Sequence, residues 1–323
     1  VAYLSSIGHH IQGFLAEKRS LGYKYENEAK VMRSFDKYWT DNGYGETNLT
    51  YENLAGWVQM HEGEGAGGLS TRLRVIRQFS VYLNSLCIPS YIPPMETKYE
   101  VPIRIPLTKS ELNEFFSRVD AYFPAKHGRQ GYSRRMTNEY PVLFRLIYLN
   151  GMRISEAINL PLSQVDLNCG VITILDGKRN KDRLIYMAED MTNLCRDYVK
   201  CLRAELGAEP TWLFPGMNPE RHIYISSVEY RFNKLWGETQ SATKRADKPT
   251  VHDLRHTFVV DRINLWLEQG IDFNYMLPYL SKFLGHKSFK ETYYYYHYAE
   301  EAARTIRKMD SVIDKVIPEV MRR

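Results

Sequence analysis

VHDLRHTFVVDRINLWLEQGIDFNYMLPYLSKFLGHKSFKETYYYYHY, running from Val251 to Tyr298, is the stretch whose reading decides the rest of the chain. Three polar clusters punctuate it: His252-Asp253-Leu254-Arg255, Leu284-Gly285-His286, and four consecutive tyrosines from Tyr293 to Tyr296. His252 and Arg255 stand three apart, so on a helix they share one face and can reach a common ligand. The apolar positions Leu254, Phe258, Val259, Ile263, Leu265 and Trp266 follow a helical period and predict that helix. After the apolar run Met276 to Phe283, Gly285 provides a turn. Ser288 and Glu291 have capping-box spacing and predict the start of a helix that carries the tyrosines. Together these side chains offer a nucleophile, donors for an oxyanion and a group able to move a proton, and a phosphate is the ligand that suits them. Singly, each is most often packing or solvated surface; the order of all three is what stands out.

Composition bounds the reading. A chain of 323 residues is long enough for two domains, and 44% hydrophobic with 25% charged residues is ordinary globular material that excludes disorder. No apolar run approaches the ~18 residues of a membrane helix and no secretory signal is visible, so a cytoplasmic protein is expected. The chain begins with Val, so the start methionine is expected to precede it. Cys87, Cys169, Cys195 and Cys201 form no C-x-x-C pair and are expected as buried free thiols. No ligand spacing supports zinc or another metal. Residues 1–100 hold 10 Lys+Arg against 11 Asp+Glu, and 101–323 hold 33 against 27, so the small net charge of +5 lies in the second part. That suggests an anionic partner there without identifying one.

In chain order, residues 5–22 read as a helix ended by Gly22, with Ile7, Ile11, Phe14 and Leu15 on its inner side. Residues 27–42 repeat the pattern with Val31, Met32, Phe35, Tyr38 and Trp39. Residues 50–60 start a third helix. The run Gly63-Glu64-Gly65-Ala66-Gly67-Gly68 lacks the G-K-[ST] ending of a phosphate loop and is read as a connector. A fourth helix is predicted from Leu69 to Leu86, its inner face Leu73, Ile76, Phe79, Tyr82 and Leu83, with Thr71, Arg72, Arg74, Arg77 and Gln78 outside. Four short helices make a bundle over residues 1–88. Five prolines from Pro89 to Pro106 (Pro89, Pro93, Pro94, Pro102 and Pro106) predict an extended linker over 89–105. From residue 106 a second domain begins, with Thr108 and Glu111 as a capping box. Ala125 to Thr137, polar and basic, is predicted as a loop before a helix from Tyr140 to Leu149. Val171 to Leu175 and Arg183 to Met187 flank Gly177-Lys178-Arg179-Asn180 as a β-hairpin. Residues 189–206 and 226–236 return to helix, so the domain is mostly α with a small sheet.

The motifs resemble those of the tyrosine recombinases, the phage-integrase class, over roughly residues 105–310. Gly151-Met152-Arg153-Ile154-Ser155-Glu156 is similar to the family's G-x-R-x-S-E segment, and Gly177 to Arg183 fits its G-K-x-x-K-x-R hairpin. H-x-x-R and L-G-H follow in family order, and a nine-residue count from His286 lands on Tyr295, with Tyr294 and Tyr296 as adjacent alternatives. The resemblance implies a mainly α fold with a small β-sheet: an N-terminal four-helix core-binding domain that clamps DNA, and a mixed α+β catalytic domain over 106–323. It implies site-specific recombination through a 3′-phosphotyrosine link and a free 5′-hydroxyl, with no metal, nucleotide or other cofactor. The expected partners are double-stranded DNA and three further protomers in a tetramer holding two duplexes, with an apolar tail stripe (Ala303, Ile306, Met309, Val312, Ile313, Val316) exchanged between protomers.

The chemistry assigns the rest. A guanidinium holds two phosphate oxygens in a planar fork, which suits Arg153 and Arg255. A phenol with a reference pKa of about 10 needs a proton acceptor, expected in His252, while His286 donates to the phosphate. Lys178 on the hairpin is the expected general acid, with Lys181 its competitor. By resemblance Glu156 orients an arginine or histidine, and Arg72, Arg74, Arg77 and Lys181 contact DNA. Two other readings use the same scaffold: a DNA-binding protein without chemistry, whose sign is a lost Arg, Lys or Tyr, and a type IB topoisomerase-like relaxing enzyme without strand exchange.

Overall fold

The computed structural model describes residues 3–95, 104–123, 130–175 and 182–299, with the side chains of 130–134 and of residue 297 left aside. The chain divides into two compact units, Val1–Pro102 and Ile103–Arg323.

In the first unit the apolar spacing seen in the sequence closes a helical core. Helices α1 (Gly8–Ser20), α2 (Glu26–Asp41), α3 (Tyr51–Val58) and α4 (Ala66–Ser85) bury Ile11, Phe14, Met32, Phe35, Trp39, Ile76 and Phe79 completely. Thr50 and Asn53 cap α3 reciprocally, the Thr50 hydroxyl accepting from the Asn53 amide. The fourth helix starts at Ala66 instead of Leu69, so Gly67 and Gly68 lie inside it. Its first turn packs against the Glu64 side chain, and a Cβ on Gly68 would stand 2.9 Å from Glu64 Cγ.

Arg72 corrects the expectation of an outward basic face. It is buried against the Trp57 ring, 4.8 Å from the centroid. It donates to Glu64 at 2.5 and 2.8 Å, to the Gln59 carbonyl at 2.9 Å and to the Trp57 carbonyl. These carbonyls are the open C-terminal acceptors of α3, and satisfying them draws the guanidinium inward. Arg77 is half-buried and donates to the Pro93 carbonyl; Arg74 is exposed. The amide of Tyr91 donates to Leu49 at 2.7 Å, so the start of the proline-rich stretch is fastened to the helical unit.

The second unit is built on α6 (Gln130–Asn150), which packs against α8 (Glu189–Leu206) and α10 (Val251–Glu268), with α5 (Lys109–Asp120), α7 (Ile154–Ile158) and α9 (Ile225–Gly237) around it. Residues 130–137 are the first turns of α6 and not a loop. Their polarity is used internally: Arg135 lies 3.4 Å from Glu139 one turn on and donates to the Pro215 carbonyl at 3.0 Å. The sheet has three strands, β1 (Val165–Asp166), β2 (Val171–Ile174) and β3 (Arg183–Tyr186), all antiparallel, with Val165 facing Ile172 and Ile172 facing Ile185. The start of the unit is tied to α10, since the Leu107 amide donates to Thr257 Oγ1 at 2.9 Å.

Helix α11 (Phe273–Leu284) leads into α12 (Phe289–Tyr293), followed by a 3-10 turn over Tyr294–Tyr298. The tyrosines beyond Tyr293 therefore lie on that turn and not on the helix. Ser288 caps α12 by accepting from the Lys290 amide, one residue short of the predicted box. Of the cysteines, only Cys195 is buried; Cys87, Cys169 and Cys201 are exposed, the first two in turns and the third on the outer face of α8. Among the described residues no helix is long and apolar enough to cross a membrane, and no group of three or more His, Cys, Asp or Glu could hold a metal ion.

Candidate active site

Arg153 comes first in the chain, at the N-cap of α7. Gly151 lets the chain turn out of α6: its φ is +57°, and a Cβ there would meet the Phe258 ring at 2.6 Å. Glu156, at the third position of α7, accepts the Arg153 amide at 2.9 Å and its Nη1 at 2.7 Å. The same carboxylate takes Arg183 Nη1 at 3.0 Å and Nη2 at 2.7 Å, so one buried anion holds two guanidiniums. Burial opposes its charge, but the hydrogen bonds and charge of Arg183, with Arg153, outweigh that and hold the carboxyl at about 2. Arg183, the first residue of β3, was part of the sequence motif without a role; its bond to Glu156 joins the hairpin strand to Arg153.

Helix α10 brings the next pair. Thr250 precedes it, and its amide and hydroxyl both donate to Asp253 Oδ2, at 2.6 and 2.8 Å, which fixes the first turn. His252 and Arg255 then project one turn apart. Arg255 is 1% exposed and donates Nη1 to the Gly151 carbonyl at 2.6 Å and Nη2 to the Leu284 carbonyl at 2.8 Å. His252 keeps an exposed surface; the protein packed around it, then His256, Arg255 and Arg153, hold its imidazole below the usual value.

The end of α11 organises the cluster. Its last carbonyls have no partner in the helix, and three consecutive ones each accept from a different arginine: Phe283 from Arg183 Nε at 2.8 Å, Leu284 from Arg255, and Gly285 from Arg153 Nη2 at 2.8 Å. Gly285, at φ +63°, sits where the guanidiniums gather; a Cβ there would lie 3.1 Å from Arg183 Nη1 and 3.3 Å from Arg153 Nη1. His286 follows directly. Its Nε2 lies 3.1 Å from Arg255 Nη2, and an arginine only donates, so Nε2 accepts and Nδ1 carries the proton toward Thr292 Oγ1 at 2.7 Å. Burial, then Arg255, Arg153 and Arg183, push this imidazole down to about 3. In this state His286 is therefore an acceptor at the nitrogen facing the arginines, where the sequence reading had a donor.

Tyr295, on the 3-10 turn, is 7% exposed and stacks on His286 with centroids 6.3 Å apart and planes 10° apart. Burial raises its phenol to about 12, against the pull of Arg255 and Arg153. Tyr294 is exposed, its hydroxyl 2.8 Å from that of Tyr298, and Tyr296 stacks on Phe273 at 4.8 Å. Of the three adjacent tyrosines, only Tyr295 faces the arginine and histidine cluster. Thus Arg153, His252, Arg255, His286, Tyr295 and Glu156 come together. Arg72, Arg74 and Arg77 lie in the other unit. Lys178 and Lys181 lie outside the described residues. Sequence reasoning overlooked His256, whose only signal was its place one turn after His252, and Thr292, three residues before Tyr295.

A mainly helical unit with a small antiparallel sheet, its arginines and histidines gathered about one tyrosine, has the architecture of a tyrosine recombinase catalytic domain. The sequence profile of the phage integrase family matches residues 107–302, and the chain belongs to that family of tyrosine-type site-specific DNA recombinases. It is 26% identical over 299 residues to the putative integrase/recombinase y4rB of Sinorhizobium fredii, covering 90% of this chain and 93% of that protein. To the tyrosine recombinase XerD of Rhizobium meliloti it is 27% identical over 282 residues, 86% of this chain and 84% of that one. Among solved structures, XerH site-specific recombinase bound to its difH substrate superposes with a TM-score of 0.59 at 21% identity, over 87% of this chain and 78% of that one. The Tn1549 transposon integrase in complex with a circular intermediate DNA gives 0.59 at 18%, over 93% and 99%. At these identities the two structures establish a shared fold.

Proposed function

We propose that this recombinase cleaves and rejoins double-stranded DNA with Tyr295 as nucleophile. The observation that carries the reading is the convergence of Arg153, Arg255, His252, His286 and Tyr295 at the end of α11. A phosphodiester is anionic and repels nucleophiles, so its non-bridging oxygens must be neutralised first. Arg153 and Arg255 each keep N–H donors beyond those given to carbonyls, and they receive those oxygens. The phenol attacks phosphorus, and its proton passes to His252, which is neutral at the start. The arriving anion raises the neighbouring imidazoles. His286 then takes up a proton on Nε2 and becomes the donor to the phosphate that it is not in the free protein. Lys178 protonates the departing 5′-oxygen. The products are a 3′-phosphotyrosine and a free 5′-hydroxyl, and attack by a 5′-hydroxyl from a second duplex completes strand exchange. Phosphoester bonding is conserved throughout, so no nucleotide is consumed.

Two duplexes need four protomers. The tail stripe from Ala303 to Val316 is proposed to dock on the neighbouring protomer; unchanged synaptic complexes in a gel shift after removal of residues 308–323 would count against it. Arg74 is the basic residue of α4 left free to meet DNA. The decisive experiment incubates the protein with a nicked duplex carrying the ends of the element that encodes it and looks for covalent protein–DNA on a denaturing gel. Tyr295→Phe is expected to abolish trapping, with Tyr294→Phe and Tyr296→Phe retaining it. Trapping by the Tyr295 variant would move the nucleophile to a neighbour.

A further inference from the structure

His256 has no part in the reaction as described, yet it stands between two groups that do. Its ring centroid lies 5.2 Å from that of Tyr295, whose ring also meets His286 and, edge-on, Tyr294. It also meets His252 edge-on at 4.5 Å, one turn back on α10. Its Nδ1 is buried and has no hydrogen-bond partner among the described residues. An unpaired buried imidazole nitrogen is a cost that a leucine at this helix position would not carry. The Tyr295 phenol is held between rings, with His256 on one side and His286 at 6.3 Å on the other, and these contacts help set its direction.

We infer that His256 is a positioning residue for strand cleavage, its neutral ring fixing the Tyr295 phenol against α10 and governing when His252 takes a proton. The groups that face it are His252, Asp253 and Arg255 on its own helix, Arg104 from the segment before α5, and Tyr295 on the 3-10 turn. Burial acts first against charge on His256, and Arg255 and Arg104 add to it while Asp253 opposes them. Two imidazoles this close do not both charge readily, so each restrains protonation of the other. When the DNA phosphate arrives it raises both toward the working range, and the restraint then matters for turnover.

The inference rests on the proposed roles of Tyr295 and His252, and the test separates the two. The full chain is assayed for single-turnover covalent cleavage of the nicked duplex from about pH 4 to about pH 9, with DNA retention and melting measured alongside. His256→Phe keeps a ring against Tyr295 and is expected to retain melting and DNA binding. Its acid limb moves to higher pH, because one of the groups that restrain protonation of His252 is gone while burial, Arg255 and Arg153 remain. His256→Ala frees the phenol and is expected to cleave about tenfold to a hundredfold more slowly across the range. His256→Gln, polar without a ring, is expected to resemble the alanine variant in rate. Superimposable pH profiles for the wild type and His256→Phe, or a loss in the alanine variant confined to melting, would overturn the inference. Trapping that survives Tyr295→Phe would instead overturn the assignment of the nucleophile.

Discussion

Replacing Glu156 by glutamine removes one negative charge from beneath two guanidiniums while keeping the length of the side chain. The carboxylate is buried and bonded to both Arg153 and Arg183 at 2.7–3.0 Å. Its fall from 4.5 to about 2 occurs against burial and through Arg183 and Arg153. At about 1.36 kcal/mol per pH unit this corresponds to about 3 kcal/mol of stability. Because the folded value is the lower one, that stability is present in full above about 4.5 and drains away as pH falls toward about 2. Glu156→Gln at pH 7 leaves two arginines facing a neutral amide, and a loss of the same size is expected. In a unit of this size that lowers the melting temperature by about 6–12 °C. Melting followed by circular dichroism at pH 7 and at about pH 3 tests it, since the wild type surrenders more than half of that contribution on acidification and the gap should narrow. Covalent cleavage should fall as well, through the loosened Arg153. A variant melting within a degree or so of the wild type at pH 7, or a gap that stays constant with pH, would refute the reasoning.

Gly285→Ala puts a methyl group between Arg153 and Arg183 at a left-handed φ, and is expected to cost about 1–2 kcal/mol and to slow cleavage more than it weakens DNA retention, as read by melting and trapping. Thr292→Val keeps the shape of a fully buried residue but removes the acceptor of His286 Nδ1. Cleavage should drop about tenfold for an interaction worth about 1.4 kcal/mol, and nitrogen NMR of His286 should show the loss of its fixed tautomer. Arg72→Ala strips the C-terminus of α3 and leaves Glu64 without its cation, and is expected to destabilise the first unit by about 3 kcal/mol in denaturant titration. Arg74→Ala should leave stability unchanged within about 0.5 kcal/mol and reduce the salt dependence of DNA retention by about one unit of slope.

The local spacings carried a good deal of this. H-x-x-R predicts a shared helix face and L-G-H a turn, and both hold because helical period and glycine conformation are properties of a few neighbouring residues. The apolar stripes of α1, α2 and α4 were legible for the same reason. What the sequence hid was decided by distant partners. Arg72 reads as an outward arginine until the open carbonyls of α3 and the Glu64 carboxylate claim it. Residues 130–137 read as loop because the partner that uses the polarity of Arg135, the Pro215 carbonyl, lies 80 residues away. A strand of two residues, β1, is too short for alternation to show. The direction of the His286 proton follows from contacts with Arg255 and Thr292, and no spacing encodes it.

Anchoring Arg153, Arg183 and Arg255 through the backbone at Phe283, Leu284 and Gly285 has a consequence for how this enzyme can change. Main-chain oxygens bring no net charge, so they locate the cations without cancelling the attraction those cations hold for an anion. Nor can a side-chain replacement delete them, and α11 can therefore drift in sequence while its terminus continues to act as a jig. The vulnerability lies in translation: an inserted residue, or an unwound last turn, would displace three cationic anchors together and dismantle the cluster in a single event.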